Sequence, residues 1–145
     1  MREENRLRVL LIIPAYNEEA NILRVIQRVR EYRKACPCRL DYVVINDGST
    51  DSTEQVCLEN GIHHIRLLQN LGIGGAVQTG YLYAWKKGYD IAVQFDGDGQ
   101  HDLNSLPRLL EPVAQGRCDF CVGSRFVDKS SDFQSTPLRR VGIQY

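Results

Sequence analysis

No apolar run in this chain approaches the roughly 18 residues that a membrane-spanning helix needs. No apolar segment of signal-peptide length opens it either, because Met1 to Arg8 carries charge and leads straight into the short run Val9 to Ile13. A cytoplasmic location is therefore expected. Charge of one sign is also missing: 18 Lys and Arg balance 18 Asp and Glu, so no global field draws the chain to nucleic acid or to an anionic membrane. Any recognition of phosphate has to come from local groups. Aromatic residues are sparse at 8%, yet apolar residues reach 43%, which suits a soluble globular protein and argues against disorder. Five cysteines are an odd count, poorly suited to a disulfide framework. Cys36-Pro37-Cys38 and Cys118-Asp119-Phe120-Cys121 invite a four-thiolate zinc site, but Cys118 and Cys121 fall on opposite faces of an extended segment, and zinc is disfavoured. No linker, repeat or low-complexity tract divides the 145 residues, so residues 1–145 are read as one domain.

What the chain does contain is a regular alternation of short apolar runs with amphipathic segments. Val9 to Pro14 reads as a buried strand. A helix is expected from about Asn17 to Lys34, with Ile22, Val25, Ile26 and Val29 at helical spacing, Asn17 as its cap, and Glu18 and Glu19 at its positive end. Tyr42 to Ile45 is a second strand. Asp51 and Glu54 resemble a capping pair for a second helix that Gly61 ends. Ile62 to Leu68 is a third strand, Gly74 to Lys87 a helix, Ile91 to Phe95 a fourth strand, Leu103 to Gln115 a helix and Phe120 to Gly123 a fifth strand. This order specifies an α/β layer with a mainly parallel sheet and helices on both faces, whose ligands gather at the carboxyl ends of the strands.

The unusual residues sit at those ends. Pro14-Ala15-Tyr16-Asn17-Glu18 follows the first strand, Asn46-Asp47-Gly48-Ser49 the second, Asn70-Leu71-Gly72 the third and Asp96-Gly97-Asp98 the fourth. Each loop alone is ordinary turn chemistry; together they aim polar groups at one rim. A carboxylate such as Asp47 can accept from the ring N–H of uracil or guanine, and Tyr16 offers an aromatic surface. In Asp96-Gly97-Asp98-Gly99-Gln100, two carboxylates and an amide oxygen alternate, a donor set for magnesium or manganese. Taken by itself the same stretch is also a polar Asp-Gly turn. His101 beyond it keeps modest interest. Gly72-Ile73-Gly74-Gly75 lacks the third glycine of a dinucleotide fingerprint, where Val77 stands, and follows the wrong strand, so a Rossmann dehydrogenase is disfavoured. Its amides could face a phosphate or sugar hydroxyl, or the loop could simply be a tight start to a helix.

Ile13-Pro14-Ala15-Tyr16-Asn17-Glu18-Glu19, Asn46-Asp47-Gly48-Ser49-Thr50-Asp51, Asn70-Leu71-Gly72, Asp96-Gly97-Asp98-Gly99-Gln100-His101 and Gly123-Ser124-Arg125-Phe126 together resemble the ordered signatures of family-two glycosyltransferases. The resemblance runs from Val9 onward and is closest to polyprenyl-phosphate sugar synthases of the dolichyl-phosphate mannosyltransferase kind. One departure is visible, Asn46 standing where the family commonly has a first aspartate.

The resemblance implies a GT-A nucleotide-diphospho-sugar fold and an inverting, metal-dependent transfer from a UDP- or GDP-sugar to polyprenyl phosphate at a membrane face. It puts Asp47 on the base, Asp96 near ribose and phosphate, and Asp96, Asp98 and Gln100 on the ion, with Pro14, Ala15, Tyr16, Glu18, Asn70 and Gly72 around the nucleotide sugar. Arg125, with Arg139 or Arg140, resembles the basic residues that hold the acceptor phosphate, a task suited to a guanidinium. Asp96, Asp98 and Arg125 are thus the expected catalytic set. Such an acceptor is largely ionised near neutrality and needs no general base. The run Leu138 to Tyr145 reads as the start of a helix without a stop signal, so a chain cut short before its acceptor side is expected. The competing readings are transfer to a saccharide hydroxyl, a nucleotide-sugar pyrophosphorylase and a non-catalytic nucleotide-binding module. A pyrophosphorylase would want a Gly-rich, Lys-bearing loop where Pro14-Ala15-Tyr16 stands.

Overall fold

The computed structural model describes residues 6–96 and 102–123. Its centre is β1 (Arg8–Ala15), in which Val9 to Ile13 have no solvent exposure. Such a run is stable as a strand only if both faces are covered, and they are. Odd positions Val9, Leu11, Ile13 and Ala15 join one apolar cluster, with Ile22, Val25, Ile26 and Val29 of α1 (Ile22–Ala35), Cys57 of α2 (Thr53–Glu59) and Leu106 of α4 (Leu106–Ala114). Even positions Leu10 and Ile12 join another, with Ala76 and Ala84 of α3 (Gly72–Lys86). Each fully buried Val, Leu or Ile contributes about 1.5–3 kcal/mol, so this strand anchors the domain.

Beside β1 lie β2 (Arg39–Asn46) and β4 (Ile91–Gln94), and β3 (His64–Arg66) flanks β2. All pairings are parallel and the order is β3-β2-β1-β4. The register brings Ala15 level with Asn46 and Asn46 level with Arg66, so the carboxyl ends form one rim. Gly80 sets how closely α3 lies on β1, because a Cβ there would overlap the Ile12 side chain.

Several expected boundaries shift, for physical reasons. Asn17 does not cap α1. It adopts a positive φ of 53° and its side chain is committed elsewhere, so α1 begins at Ile22 after a turn in which Glu18 C=O accepts from Asn21 and Ile22 N–H. Asp51 does receive Thr53 N–H at 2.9 Å, but Glu54 turns to Asn46 and His64 instead of closing a capping box. The third strand is short: Leu67 N–H still reaches Asn46 C=O, and Leu68 is then fully exposed. The helix expected from Leu103 splits into a 3₁₀ turn (Leu103–Ser105), started by Asp102 accepting from Asn104 N–H, and α4, opened by a proline in its first turn. The expected strand Phe120 to Gly123 does not form: these residues pair with no strand among the described residues, and Phe120 and Val122 are exposed.

Candidate functional site

The rim over β1 and β2 is cross-tied. Asn17, leaving β1, uses its side-chain oxygen to accept from Thr50 N–H at 2.8 Å, Asp51 N–H at 3.3 Å and the Thr50 hydroxyl at 3.3 Å. In return Ser49 Oγ accepts from Asn17 N–H at 3.0 Å, and Thr53 Oγ1 from Glu18 N–H at 2.9 Å. Two further bonds tie the same loops: Asp51 Oδ2 accepts from Glu19 N–H, and Glu19 Oε2 from Ser52 N–H. Desolvation works to raise the Asp51 pKa, but bonds from the Thr53 side chain and from backbone N–H groups together outweigh it and hold the carboxyl below its ordinary value. Tyr16 stands half exposed at the edge of this lattice, while Ala15 is buried below it and Pro14 and Glu18 are partly covered.

Asp47 sits at the centre. Its N–H donates to Ala15 C=O at 2.8 Å, the residue is only 3% exposed, and Oδ1 accepts from Leu71 N–H at 2.7 Å. Oδ2 has no hydrogen-bond partner among the described residues. The following Gly48 has φ +67° and lies so close to the next loop that a Cβ would be 2.5 Å from Asn70 N. Only glycine fits a turn that is both left-handed and in backbone contact. Asn70 commits both ends of its amide: Nδ2 donates to Asp47 C=O at 3.2 Å and Oδ1 accepts from Gly72 N–H at 3.1 Å. The loop before α3 is therefore built as a tight helix start, with Asn70 as the tie between Asp47 and Gly72.

Below the turn lies a network that motif reading did not single out. Asn46 is buried, its Nδ2 donates to Glu54 Oε2 at 2.7 Å and its Oδ1 accepts from Ser49 N–H at 3.3 Å. Glu54 Oε1 lies 3.0 Å from His64 Nε2, and His64 Nδ1 lies 2.8 Å from Ile62 C=O. Burial alone would lower the His64 pKa, but the Ile62 bond and Glu54 outweigh it and raise it. Desolvation likewise works to raise the Glu54 pKa, and bonds from His64 and Asn46 with the charges of His64 and Arg66 lower it. The only sequence signal was the pairing of a polar first turn of α2 with a histidine opening the next strand.

On the β4 side, Asp96 leaves the strand at the same rim and Gln94 Nε2 donates to its Oδ1 at 3.3 Å. A shallow groove between α3 and β4 is lined by Ile73, Gly74, Val77, Gln78, Tyr81 and Gln94. The structure thus gathers Pro14, Ala15, Tyr16, Glu18, Asp47, Asn70, Gly72 and Asp96 along one sheet edge. Asp98, Gln100, His101, Arg125, Arg139 and Arg140 lie outside the described residues.

A family model described as glycosyl transferase family 2 matches residues 10–144. The chain belongs to glycosyl transferase family 2. Among curated members of the family, the UDP-N-acetylglucosamine–dolichyl-phosphate N-acetylglucosaminyltransferase of Methanococcus voltae is 32% identical, over 92% of this chain and 58% of its own length. The polyprenol monophosphomannose synthase of Mycolicibacterium smegmatis is 34% identical, over 92% of this chain and 51% of its own. The chain therefore spans somewhat more than half the length of these relatives. Among solved structures, the glucosyl-3-phosphoglycerate synthase of Mycobacterium tuberculosis, in complex with Mn2+ and UDP-glucose, superposes with a TM-score of 0.57 at 28% identity, covering 79% of this chain and 41% of that one. The parallel sheet with helices on both faces is that of the GT-A glycosyltransferases.

Proposed function

We propose that residues 1–145 form a single nucleotide-sugar-binding domain of an inverting, metal-dependent glycosyltransferase that moves a sugar from a UDP- or GDP-sugar to a polyprenyl phosphate at the cytoplasmic face of a membrane. The observation that carries this reading is Asp47, a largely buried residue whose Oδ1 is fixed by Leu71 N–H while Oδ2 takes no hydrogen bond from the described residues, centred on the strand-end rim. A carboxylate oxygen that no described residue donates to can accept from the ring N–H of uracil or guanine. The names of the two curated relatives, one a dolichyl-phosphate transferase and one a polyprenol monophosphomannose synthase, support the acceptor class.

In this reading Tyr16 covers the base or ribose, Pro14, Ala15 and Glu18 bound the nucleoside, and the Asn70–Gly72 loop sets the depth of the pocket. Asp96, Asp98 and Gln100 would hold the divalent ion. The donor set fits, since it consists of oxygen atoms only and Asp96 stands at the rim. Magnesium or manganese, when bound, supplies neutralisation of the charge that appears on the departing nucleoside diphosphate. Arg125, with Arg139 and Arg140, grips the acceptor phosphate, whose oxygen is already ionised and attacks the anomeric carbon directly. Positioning and electrostatics then carry the catalysis, without a general base.

The test is transfer of radiolabelled sugar from UDP- and GDP-sugars to polyprenyl phosphate in detergent, with product extracted into organic solvent and its anomeric configuration read by NMR. Product of inverted configuration is expected. Arg125→Ala should leave nucleotide-sugar affinity nearly unchanged while abolishing transfer, with lysine restoring it only in part. Efficient transfer to a plain sugar hydroxyl with none to polyprenyl phosphate would overturn the acceptor assignment.

A further inference from the structure

The chain of contacts beneath the Asp47 turn runs without a break from a titratable ring to the backbone of the turn that carries the proposed base-reading carboxylate. His64 Nδ1 faces Ile62 C=O, which can only accept, so that nitrogen carries a proton. His64 Nε2 faces Glu54 Oε1 at 3.0 Å. With Glu54 ionised, both ring nitrogens donate and the ring is an imidazolium. Glu54 passes its other oxygen to Asn46 Nδ2 at 2.7 Å, Asn46 Oδ1 accepts from Ser49 N–H, and Asn46 C=O accepts from Gly48 N–H at 2.9 Å and Leu67 N–H at 2.9 Å. The turn between Asn46 and Ser49 contains Asp47.

We propose that His64, Glu54 and Asn46 form a positioning relay, in which the imidazolium orients Glu54, Glu54 orients Asn46, and Asn46 fixes the turn that presents Asp47 to the nucleotide base. This rests on the nucleotide-binding reading above. It also gives a reason for asparagine at position 46. An aspartate there would set a second carboxylate against Glu54, whereas the Asn46 amide donates to Glu54 and still accepts from Ser49. The other groups around the relay do not replace the ring's role. Arg66 acts on Glu54 only through its charge, and the Cys57 thiol, pushed up to about 11 by burial and by Glu54, stays neutral.

Loss of one His64 proton leaves a single ring donor for two acceptors, so a nitrogen lone pair faces either Glu54 or Ile62 C=O; the ring shifts, and the Glu54 carboxylate and Asn46 lose their fixed anchor. In UDP and GDP titrations with Mn2+, affinity should fall roughly fivefold as pH rises through the His64 titration. In Glu54→Gln the amide can donate to neutral His64 and accept from Asn46, so affinity should persist and that alkaline loss should vanish, which separates the relay from titration of the nucleotide itself. Glu54→Ala should weaken binding at every pH. Asn46→Asp should also weaken it, and adding Glu54→Gln to Asn46→Asp should restore it below the His64 titration, because the introduced amide N–H donates to the introduced carboxylate while its oxygen still accepts from the His64 ring. In the nucleotide-free protein, the Gly48 and Ser49 amide NMR shifts should follow the His64 ring titration. Binding with the same pH profile in wild type and Glu54→Gln, or no rescue in the double variant, overturns the relay alone. No UDP or GDP binding at any pH overturns the nucleotide reading, and the positioning role falls with it.

Discussion

Over β1 and β2 the backbone N–H groups of each rim loop are met by side chains of the other, whereas beside β4 the described surface of α3 presents Ile73, Tyr81 and Trp85 to solvent, the last 77% exposed. These three, with Val77, recur every fourth residue and so lie in one stripe along the helix. Next to them the outer edge of β4 pairs with no strand among the described residues. The two sides of the sheet therefore serve different ends. Side chains on the β1–β2 side are spent on holding a turn at fixed geometry, as a site for a rigid ligand requires. On the β4 side apolar area remains at the surface, where it adds little to the stability of the described residues.

The most severe way to break the tied side is Gly48→Ala. A left-handed backbone costs a non-glycine residue about 1–2 kcal/mol, and overlap with the Asn70 backbone adds to it. Denaturant melts should show at least that loss, and calorimetry should show nucleotide binding gone. Asn17→Ala comes next. It removes the acceptor for two backbone amides and a hydroxyl, and should cost about 1–3 kcal/mol. Asn17→Gly relaxes the positive φ but not the missing acceptor, so it should recover only part of the loss; full recovery would mean that the cross-tie contributes nothing.

Smaller still is the pH effect. His64 is raised, so its contribution is complete below its unfolded value of about 6.5 and fades as pH rises through the folded value. Glu54 is lowered, so its contribution is complete above about 4.5 and fades as pH falls through the folded value. The stability of wild type over Glu54→Gln should therefore be greatest between about pH 4.5 and 6.5, read from denaturation midpoints across pH. The smallest effect belongs to the other side: Ile73→Ser and Trp85→Gln should each change stability by less than about 0.5 kcal/mol. A loss of 2 kcal/mol there would erase the contrast.

Much of this was legible beforehand because it depends on period and order. The Ile22–Val29 stripe, the continuous Val9–Ile13 run and the placement of polar motifs after each strand follow from local spacing, and the sheet follows from their alternation. The cross-loop chemistry does not. Asn17 reads as a cap because asparagine before a helical stripe usually is one, and its oxygen is diverted by amides 33 and 34 residues away. Glu54 reads as the second half of a capping box for the same local reason, and is claimed by Asn46 and His64. Phe120 to Gly123 has the composition of a strand, but composition does not supply a neighbour to pair with.

The claim that unites these observations is that the β1–β2 rim is a preformed nucleoside diphosphate site completed by a divalent ion. Calorimetric titration of UDP and GDP into the protein, with Mn2+ and again with a chelator, tests it most directly. One saturable site that prefers one base is expected, with most of the affinity lost in chelator or in Asp98→Asn, and with base preference but not metal dependence lost in Asp47→Ala. Equal affinity with and without chelator, or an unchanged base preference in Asp47→Ala, would contradict it.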